Sequence, residues 1–344
     1  MVTIETVASR AKVSTTTVSN VINGKTKRVS EATIQRVQAI IRETGYSPNM
    51  SARALSTRNS KVVALISHMD PEKSGDFMDD PFMTRFISAV ESTLREKGYY
   101  IMLRTIGSRE DLQKFLANWN VDGLFFTGLF EDDDLYIALR EMEKPIVLAD
   151  SYLSDYGGMF NVGLDDVEGA LLATRHLIQK GHVRIVFAGP PIHTGGVVEK
   201  RLEGYRAALA EADLPFDPAL VQESEFKTRD TLALGASIAK MHDVTAVFAT
   251  ADVMAAGIMS GIRQGGRRVP EDVSIVGFDD LNWCQLTSPR LTTIHQNMRR
   301  KGQLAADLMV TLLEGGRVKE HNIILPVHLV ERESVFSLQK RKKT

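Results

Sequence analysis

The stretch VSTTTVSNVING, residues 13–24, places three consecutive threonines between two valines. Val18, Val21 and Ile22 recur at the spacing of one helical face, so a helix from about residue 15 to residue 23 would bury them and expose the threonines. Ser14 is a good N-cap residue, and Gly24 suits the end of the helix. Such a helix is either an ordinary polar surface helix or one that reads a partner with short hydroxyl side chains. The residues around it decide between the two.

Two further helices flank this stretch. Thr3 can cap a helix from about residue 4 to residue 11, and Ser30 can cap a third helix, which Gly45 and Pro48 would close. Apolar residues recur on one face of each, at Val7, Ala8 and Ala11 and at Ile34, Val37 and Ile41. Two helices joined by a short turn and closed by a third form a helix-turn-helix, whose second helix enters the major groove of DNA. There, short hydroxyl side chains hydrogen-bond to base edges and contact the thymine methyl group.

The charge is distributed unevenly between the ends of the chain. Residues 1–60 hold nine Lys or Arg and three Glu, a balance of +6, whereas the other 284 residues hold 33 basic and 40 acidic residues, a balance of −7. A basic head on an acidic body indicates that the head alone meets a polyanion. The basic tail at residues 340–344 is expected to be solvated.

Composition excludes several classes of protein. No run of eighteen apolar residues is present, and the N-terminus lacks the pattern of a secretory signal, so neither a membrane span nor export is expected. Cys284 is the single cysteine, which rules out an intrachain disulfide and fits a cytoplasmic protein.

A short basic segment follows the head. Residues 48–57 can form a helix with Asn49 as its cap, although a helix of this length is marginal alone in water. Leu55 has no evident core to join, so it could act as a wedge in a minor groove.

The remainder alternates short apolar strands with amphipathic helices, which predicts parallel sheets covered on both faces. Two such sets occur, so we expect two doubly wound lobes. Ligands of such sheets bind beyond the carboxyl ends of the strands, here in the cleft between the lobes.

Charged and aromatic residues near these strand ends suit a polyhydroxylated ring. Asp150, Asp252 and Asp279 each follow a predicted strand, with Arg201 and Phe226 as further candidates. Carboxylates accept hydrogen bonds from sugar hydroxyls, arginine donates a fork of them, and an aromatic face covers the apolar side of a pyranose. The alternatives are that Asp252 and Asp279 cap helices, that Phe226 belongs to the core, and that Arg201 pairs with a glutamate of its own helix.

The chain resembles the lactose/galactose repressor family. In the head, TIETVASRAKVSTTTVSNVING, VSEATIQRV and GYSPNMSARAL stand in the family's order and spacing. In the body, DDPFM at 79–83, VDGLFF at 121–126, RLEGY at 201–205, IVGFDD at 275–280, LTTIHQ at 291–296 and VERES at 330–334 do the same. The resemblance therefore covers almost the whole chain.

The resemblance implies two sets of site residues. Thr15, Thr16 and Asn20 match base-reading positions, Asn20 standing where arginine or histidine is more usual, and Leu55 matches an intercalating leucine. The full set expected at DNA is Thr3, Ser14, Thr15, Thr16, Thr17, Ser19, Asn20, Asn23, Arg28, Asn49, Ala52, Arg53 and Leu55. The set expected at the effector is Asp80, Phe82, Asp150, Arg201, Phe226, Asp252, Asp279 and Gln296. Ala251 stands where relatives often have asparagine.

The resemblance also implies the domain organisation. We expect an all-α helix-turn-helix head at 1–47 and a hinge helix with its linker at 48–59. A periplasmic-binding-protein-like α/β body with two parallel-sheet lobes follows at 60–339. Lobe one would comprise about 60–161 and 291–320, and lobe two about 162–290 and 321–339.

The expected function is that of a homodimeric repressor of a carbohydrate operon, which leaves a palindromic double-stranded operator when a sugar binds the cleft. The alternative is a regulator of the same family that responds to a purine corepressor or another metabolite. An enzyme is not expected, because no nucleophile or base accompanies the paired acids Asp279 and Asp280. No GxGxxG or Walker-type loop and no zinc-type spacing occurs, so neither a cofactor nor a metal is expected.

Overall fold

The chain divides into two compact units at Ser60 and Lys61. The computed structural model describes residues 2–22, 24–46, 59–68 and 80–338, and the descriptions below concern these residues. Within them, no helix combines the length and the apolar character that crossing a membrane requires.

The head unit contains three helices, α1 (Ile4–Ala11), α2 (Thr15–Ile22) and α3 (Glu31–Thr44). Thr3 caps α1, since its side chain accepts a hydrogen bond from the backbone N–H of Thr6. Ser30 stands at the N-cap of α3, but its hydroxyl pairs with that of Thr33 instead of a backbone N–H. The core of the unit consists of the inward faces predicted from the sequence, with Val7, Ala8, Ala11, Val18, Val21 and Val37 buried. The three-helix head is therefore confirmed.

Lobe one contains a six-stranded parallel sheet in the order β11-β5-β4-β3-β1-β2. Its strands are β1 (Val62–His68), β2 (Tyr100–Ile106), β3 (Gly123–Thr127), β4 (Ile146–Ala149), β5 (Phe160–Leu164) and β11 (Asn322–Leu325). Its helices are α4 (Pro81–Glu96), α5 (Arg109–Asn118), α6 (Asp134–Arg140) and α11 (Met298–Leu313).

Lobe two contains a second six-stranded sheet in the order β12-β10-β9-β8-β6-β7, parallel except for β12, which runs antiparallel to β10. Its strands are β6 (Ile185–Gly189), β7 (Val221–Glu223), β8 (Ala246–Ala249), β9 (Ser274–Asp279), β10 (Thr292–His295) and β12 (His328–Val330). Its helices are α7 (Asp166–Gln179), α8 (Val197–Glu211), α9 (Thr228–Ile238) and α10 (Asp252–Gln264).

The chain passes between the lobes three times, and each passage lies a few residues later than the sequence suggests. Strand β5 stays in lobe one as far as Leu164, β10 belongs to lobe two as far as His295, and β11 stays in lobe one as far as Leu325. The physical reason is that each segment completes its backbone hydrogen bonds as a strand before it leaves the sheet. The expected lobe boundaries at 161, 291 and 321 shift accordingly.

Candidate functional site

In the head, helix α2 carries hydroxyl side chains at its N-terminal end. Ser14 caps the helix, because its Oγ accepts from the backbone N–H of Thr17 at 3.1 Å, and the two hydroxyls lie 3.0 Å apart. Thr15 and Thr16 are exposed, whereas Ser19 and Asn20 are half-buried. The helix therefore buries its valines and presents its first turn outward, as a helix that reads a groove must.

The other residues expected at DNA divide into two groups. Thr3 and Arg28 are exposed on the described part of the head. Asn23, Asn49, Ala52, Arg53 and Leu55 lie outside the described residues. The hinge helix and its leucine wedge therefore stay predictions.

In the body, a chain of polar groups links the two lobes where the strands end. Asp150 follows β4 of lobe one in a left-handed conformation (φ 56°), and its two carboxylate oxygens lie 2.7 and 2.6 Å from Nζ of Lys301. The same Nζ donates to Oε1 of Gln296 at 3.1 Å, and Nε2 of Gln296 donates to Oδ1 of Asp279 at 2.5 Å. Asp279 ends β9 of lobe two, so these four residues connect the ends of a strand in each lobe.

Arg201 lies on α8 and is buried. Its Nε donates to Oδ1 of Asp166 at 2.7 Å, its guanidinium also donates to the carbonyl of Thr250, and its Cζ lies 3.6 Å from the ring centroid of Phe278. The sequence alternative in which Arg201 pairs with a glutamate of its own helix is wrong. Glu199 instead accepts from the backbone N–H of Gly195 at 2.8 Å.

Asp80 and Phe82 occupy the start of α4. Oδ1 of Asp80 accepts from the backbone N–H of Phe82 at 2.9 Å, so Asp80 caps this helix. The Phe82 ring packs against the apolar cores of both lobes, with Nζ of Lys301 4.9 Å from its centroid. Both residues therefore belong to the region where the lobes meet.

Asp252 is an expected effector residue that lies inside lobe two. It has no exposed surface. Its Oδ2 accepts from the backbone N–H of Leu281 and from Sγ of Cys284, both at 2.9 Å, and its Oδ1 accepts from Oγ1 of Thr293 at 2.6 Å. Asp252 therefore links parts of the interior of lobe two, and both of its carboxylate oxygens already accept hydrogen bonds there. Ala251 is the N-cap of α10 and provides no side-chain cap.

Phe226 lies just before α9 and is 38% exposed, so the alternative that places it in the core is wrong. An exposed aromatic face at this position is available for stacking.

A cavity of about 510 Å³ lies between loops of the two lobes. Lobe one contributes residues that follow β3 and β4, and lobe two contributes the loop after β6 and the start of α8. The lining residues are Glu131, Tyr152, Leu153, Ser154, Tyr156, Thr194, Gly195, Glu199, Lys200, Glu203 and Asn322. Tyr152 joins this cavity to the buried polar groups described above, called the buried cluster below: Asp150, Lys301, Gln296, Asp279, Arg201 and Asp166. Its hydroxyl donates to Asp166, the partner of Arg201.

Burial dominates the electrostatics of the cluster. It raises the pKa of Asp80, of Asp150 and, well above its ordinary value, of Asp279, while Lys301 opposes the shift at Asp150 and Arg201 opposes it at Asp279. The pKa of Arg201 is raised despite its burial, because Asp166 and Asp279 stabilise its charge. Burial therefore favours the neutral form of these carboxyl groups, and the neighbouring Lys301 and Arg201 favour the charged form.

Three residues in or beside this cluster were not singled out from the sequence: Lys301, Asp166 and Tyr152. Lys301 interrupts the apolar face of α11, between Met298 and Ala305. A lysine on an apolar helical face indicates a buried charge that needs a partner. Asp166 follows the strand FNVGL, in which a glycine and an asparagine interrupt the apolar pattern that predicts a buried strand. Within the described ranges, no group of three or more histidine, cysteine or acidic residues is arranged to hold a metal ion.

Comparison with known proteins gives two family matches. Residues 3–49 match the model of bacterial regulatory proteins of the lacI family, and residues 174–335 match a periplasmic binding protein-like domain. The second match includes most of lobe two.

Relatives match over nearly their full length. The HTH-type transcriptional regulator CelR of Thermobifida fusca is 36% identical, over 96% of this chain and 98% of its own. The HTH-type transcriptional repressor PurR of Pectobacterium atrosepticum is 34% identical, over 97% of each chain.

Solved structures agree. A complex of the regulator CelR with cellobiose has a TM-score of 0.73 at 33% identity, covering 97% of this chain and 100% of the other. The lac repressor dimer bound to operator and the anti-inducer ONPF has a TM-score of 0.84 at 27% identity, covering 97% and 99%. The likeness thus extends over both the head and the body.

Proposed function

The chain belongs to the lacI family of bacterial regulatory proteins and is a DNA-binding transcriptional regulator, and from that premise we propose that a neutral carbohydrate controls it. In this proposal the protein represses a carbohydrate operon and leaves its palindromic operator when the sugar binds between the lobes. The observation that carries the proposal is the interlobe cavity beside the buried cluster of Asp150, Lys301, Gln296, Asp279 and Arg201.

The chemistry of the cleft favours a neutral polyhydroxylated ligand. Among the described residues in and beside the buried cluster, four carboxylates, those of Asp80, Asp150, Asp166 and Asp279, surround two cations, Arg201 and Lys301, and both cations already pair with carboxylates. An anionic ligand would add charge of the sign already in excess, whereas hydroxyl groups can both donate to carboxylates and accept from arginine.

The size of the cavity favours more than one sugar ring. Its volume of about 510 Å³ lies within the ordinary range for small-molecule sites. Tyr152 and Tyr156 line it, and tyrosine rings suit the apolar faces of sugars while their hydroxyls remain polar. The related regulator CelR has a solved complex with cellobiose, so a β-linked disaccharide is the effector class proposed here.

The cleft is proposed to bind its ligand without transforming it. The carboxylates of the cluster are held by Lys301, Gln296 and Arg201, an arrangement that suits recognition by fixed hydrogen bonds. Because the partner is operator DNA, the proposed location is the cytoplasm.

The proposed assembly is a homodimer, because a palindromic operator requires two heads and one head makes too few phosphate contacts for tight binding. Helices α4 and α11 pack against one another within lobe one: a Cβ on Gly302 would lie 2.8 Å from the carbonyl of Phe86. The outer strand β2 instead exposes Tyr100 (59%) and Leu103 (37%), which supports this edge of lobe one as the dimer face.

Calorimetry with purified protein tests the effector site. Asp279→Asn keeps the shape of the side chain but removes its charge, so we expect cellobiose to bind roughly tenfold or more weakly. Asp307→Asn is the matched control, since Asp307 is exposed on α11. Unchanged cellobiose affinity in Asp279→Asn would show that the sugar binds elsewhere.

A further inference from the structure

Lys301 is a lysine with no exposed surface, on the inward face of α11. Its neighbours on that face are Met298, Gly302 and Ala305, all buried. Lysine is almost never fully buried unless it is paired, because removing an ammonium group from water is costly. A methionine of similar length would fill the same space without that cost, so the pairing of Lys301 requires an explanation.

The ammonium group of Lys301 has three acceptors for its three N–H bonds. Two are the oxygens of Asp150, at 2.7 and 2.6 Å, and the third is Oε1 of Gln296, at 3.1 Å. The group is therefore fully satisfied and fixed in position. Nζ also lies 4.9 Å from the ring centroid of Phe82.

This geometry determines which way the amide of Gln296 points. An ammonium group can only donate, so the atom of Gln296 that faces Lys301 must be its oxygen. The amide nitrogen is then directed to Asp279, to which it donates. Lys301 and Asp279 therefore fix the amide from opposite sides. Without Lys301 the amide oxygen loses its donor, and the contact with Asp279 alone is left to hold the side chain.

We propose that Lys301 is a positioning residue of the effector site, which neutralises Asp150 and orients Gln296 so that Asp279 is held as the hydrogen-bond acceptor of the cleft. This inference rests on the proposed function, since it explains how a sugar finds a prearranged acceptor. Lys301 acts through Gln296 and Asp150, and no contact between Lys301 and the sugar is required.

Removing the ammonium group has a consequence that depends on pH. The charged groups that act on Asp150 are Lys301, Asp166 and Arg201. Tyr152 donates a hydrogen bond to Asp166, and Gln296 links Lys301 to Asp279. In Lys301→Met, Asp150 keeps its burial and its repulsion from Asp166 but loses its nearest cation, so its pKa rises further. The variant carries an unpaired buried carboxylate at high pH and a neutral carboxyl group at low pH.

The test is release of labelled operator by cellobiose from pH 6 to pH 8, with each variant normalised to its own operator affinity without sugar. We expect Lys301→Met to need roughly tenfold more cellobiose at pH 8 and a smaller excess at pH 6. Arg300→Met, an exposed position on the same helix, is the matched control and should follow the wild-type profile. A Lys301→Met profile that coincides with the wild type at every pH would overturn the inference.

A double variant separates positioning from folding. Asp150→Asn/Lys301→Met removes both members of the ion pair and leaves neither one unpaired, so it tests the orientation of Gln296 even if Lys301→Met fails to fold. It should lose the added pH dependence yet still need more cellobiose than the wild type. Release at the wild-type concentration would overturn the inference. If cellobiose does not make the wild-type protein release operator, the proposed function is contradicted, and the inference with it. If the wild type responds to cellobiose and the variants respond equally well, the inference alone is contradicted.

Discussion

His182 shows how a single buried residue makes the stability of lobe two depend on pH. Its ring lies 3.0 Å from both Oγ1 of Thr245 and the carbonyl of Phe336, and burial lowers its pKa from 6.5 to about 4. The carbonyl requires an N–H donor at Nε2, so the threonine hydroxyl donates to Nδ1 and the ring is neutral. The folded protein therefore resists a proton that the unfolded chain accepts.

This difference in proton binding determines the direction in which stability changes with pH. Below pH 6.5 the unfolded chain is protonated at His182 and the folded protein is not, so stability is lost as the pH falls from 6.5 to about 4. We predict that His182→Gln, whose amide can still donate to Phe336, reduces this loss by up to about 3 kcal/mol. The measurement is the free energy of unfolding in urea at pH 7 and pH 4.5. His176 remains in both proteins, so an identical loss in both would contradict the assignment to His182.

Asp252 makes a second prediction at the level of one residue. Removing its carboxylate leaves the backbone N–H of Leu281, the thiol of Cys284 and the hydroxyl of Thr293 without their acceptor. We predict that Asp252→Ala lowers the free energy of unfolding by about 3 kcal/mol or more, because several buried donors lose their partner together. Asp307→Ala, on an exposed surface, should change it by less than about 0.5 kcal/mol. Equal effects of the two substitutions would show that the Asp252 network is dispensable.

The same residue shows where sequence reasoning at this scale ends. A carboxylate after a strand is compatible with the cleft and with the interior, and only the position of the loop at 281–284 decides between them for Asp252. Arg201 was recognised, but its partner Asp166 is 35 residues away along the chain. Such pairings depend on the packing of α7 against α8, which no local pattern encodes.

Helix α2 carries the prediction that belongs to one element. Thr16 is exposed, whereas Val18 is fully buried in the head core. The operator sequence is first obtained by selection from random DNA. We predict that Thr16→Ala weakens binding to this operator by roughly tenfold, with little loss of stability, because it removes a contact to a base. Val18→Ala should instead destabilise the head by about 2 kcal/mol or more.

Fluorescence anisotropy on operator and on scrambled DNA distinguishes the two effects. Thr16→Ala should bind scrambled DNA as the wild type does, since threonine carries no charge to contribute to non-specific binding. An equal loss of affinity on both DNAs would argue against base reading by this helix.

Elements were predictable where hydrophobic periodicity was strong. The three head helices, four strands of lobe one and three strands of lobe two follow from it, because a buried strand or an amphipathic helix needs a regular pattern. Strands β5 and β11 have weaker signals: FNVGL contains a glycine and an asparagine, and Asn322–Leu325 is only partly buried. The passages between lobes were therefore placed a few residues early.

Contacts across the cleft give the body its means of responding as a whole. The backbone N–H of Tyr152 donates to the carbonyl of Gly195 at 3.0 Å, and the rings of Phe130 and His193 stack with centroids 4.6 Å apart. Each pair joins a loop of lobe one to a loop of lobe two. A sugar that adds bonds between the same loops changes the free energy of one lobe arrangement relative to another.

The size of the required coupling is modest. A tenfold loss of operator affinity needs a sugar that binds the DNA-free form more tightly by about 1.4 kcal/mol. One or two additional hydrogen bonds to a charged group in one arrangement would supply it. A small difference in the free energy of sugar binding between two lobe arrangements is therefore enough to control DNA binding.

The most direct test is an operator-binding titration with the full chain, run in parallel with cellobiose, glucose 6-phosphate and guanine. We predict that cellobiose lowers operator affinity by roughly tenfold or more. Glucose 6-phosphate should leave it unchanged because its charge has the sign already in excess in the cleft, and guanine should leave it unchanged because a planar base lacks the hydroxyl groups that the cleft is proposed to bind. Tighter operator binding with guanine, together with no effect of any sugar, would contradict both the class of effector and the direction of control.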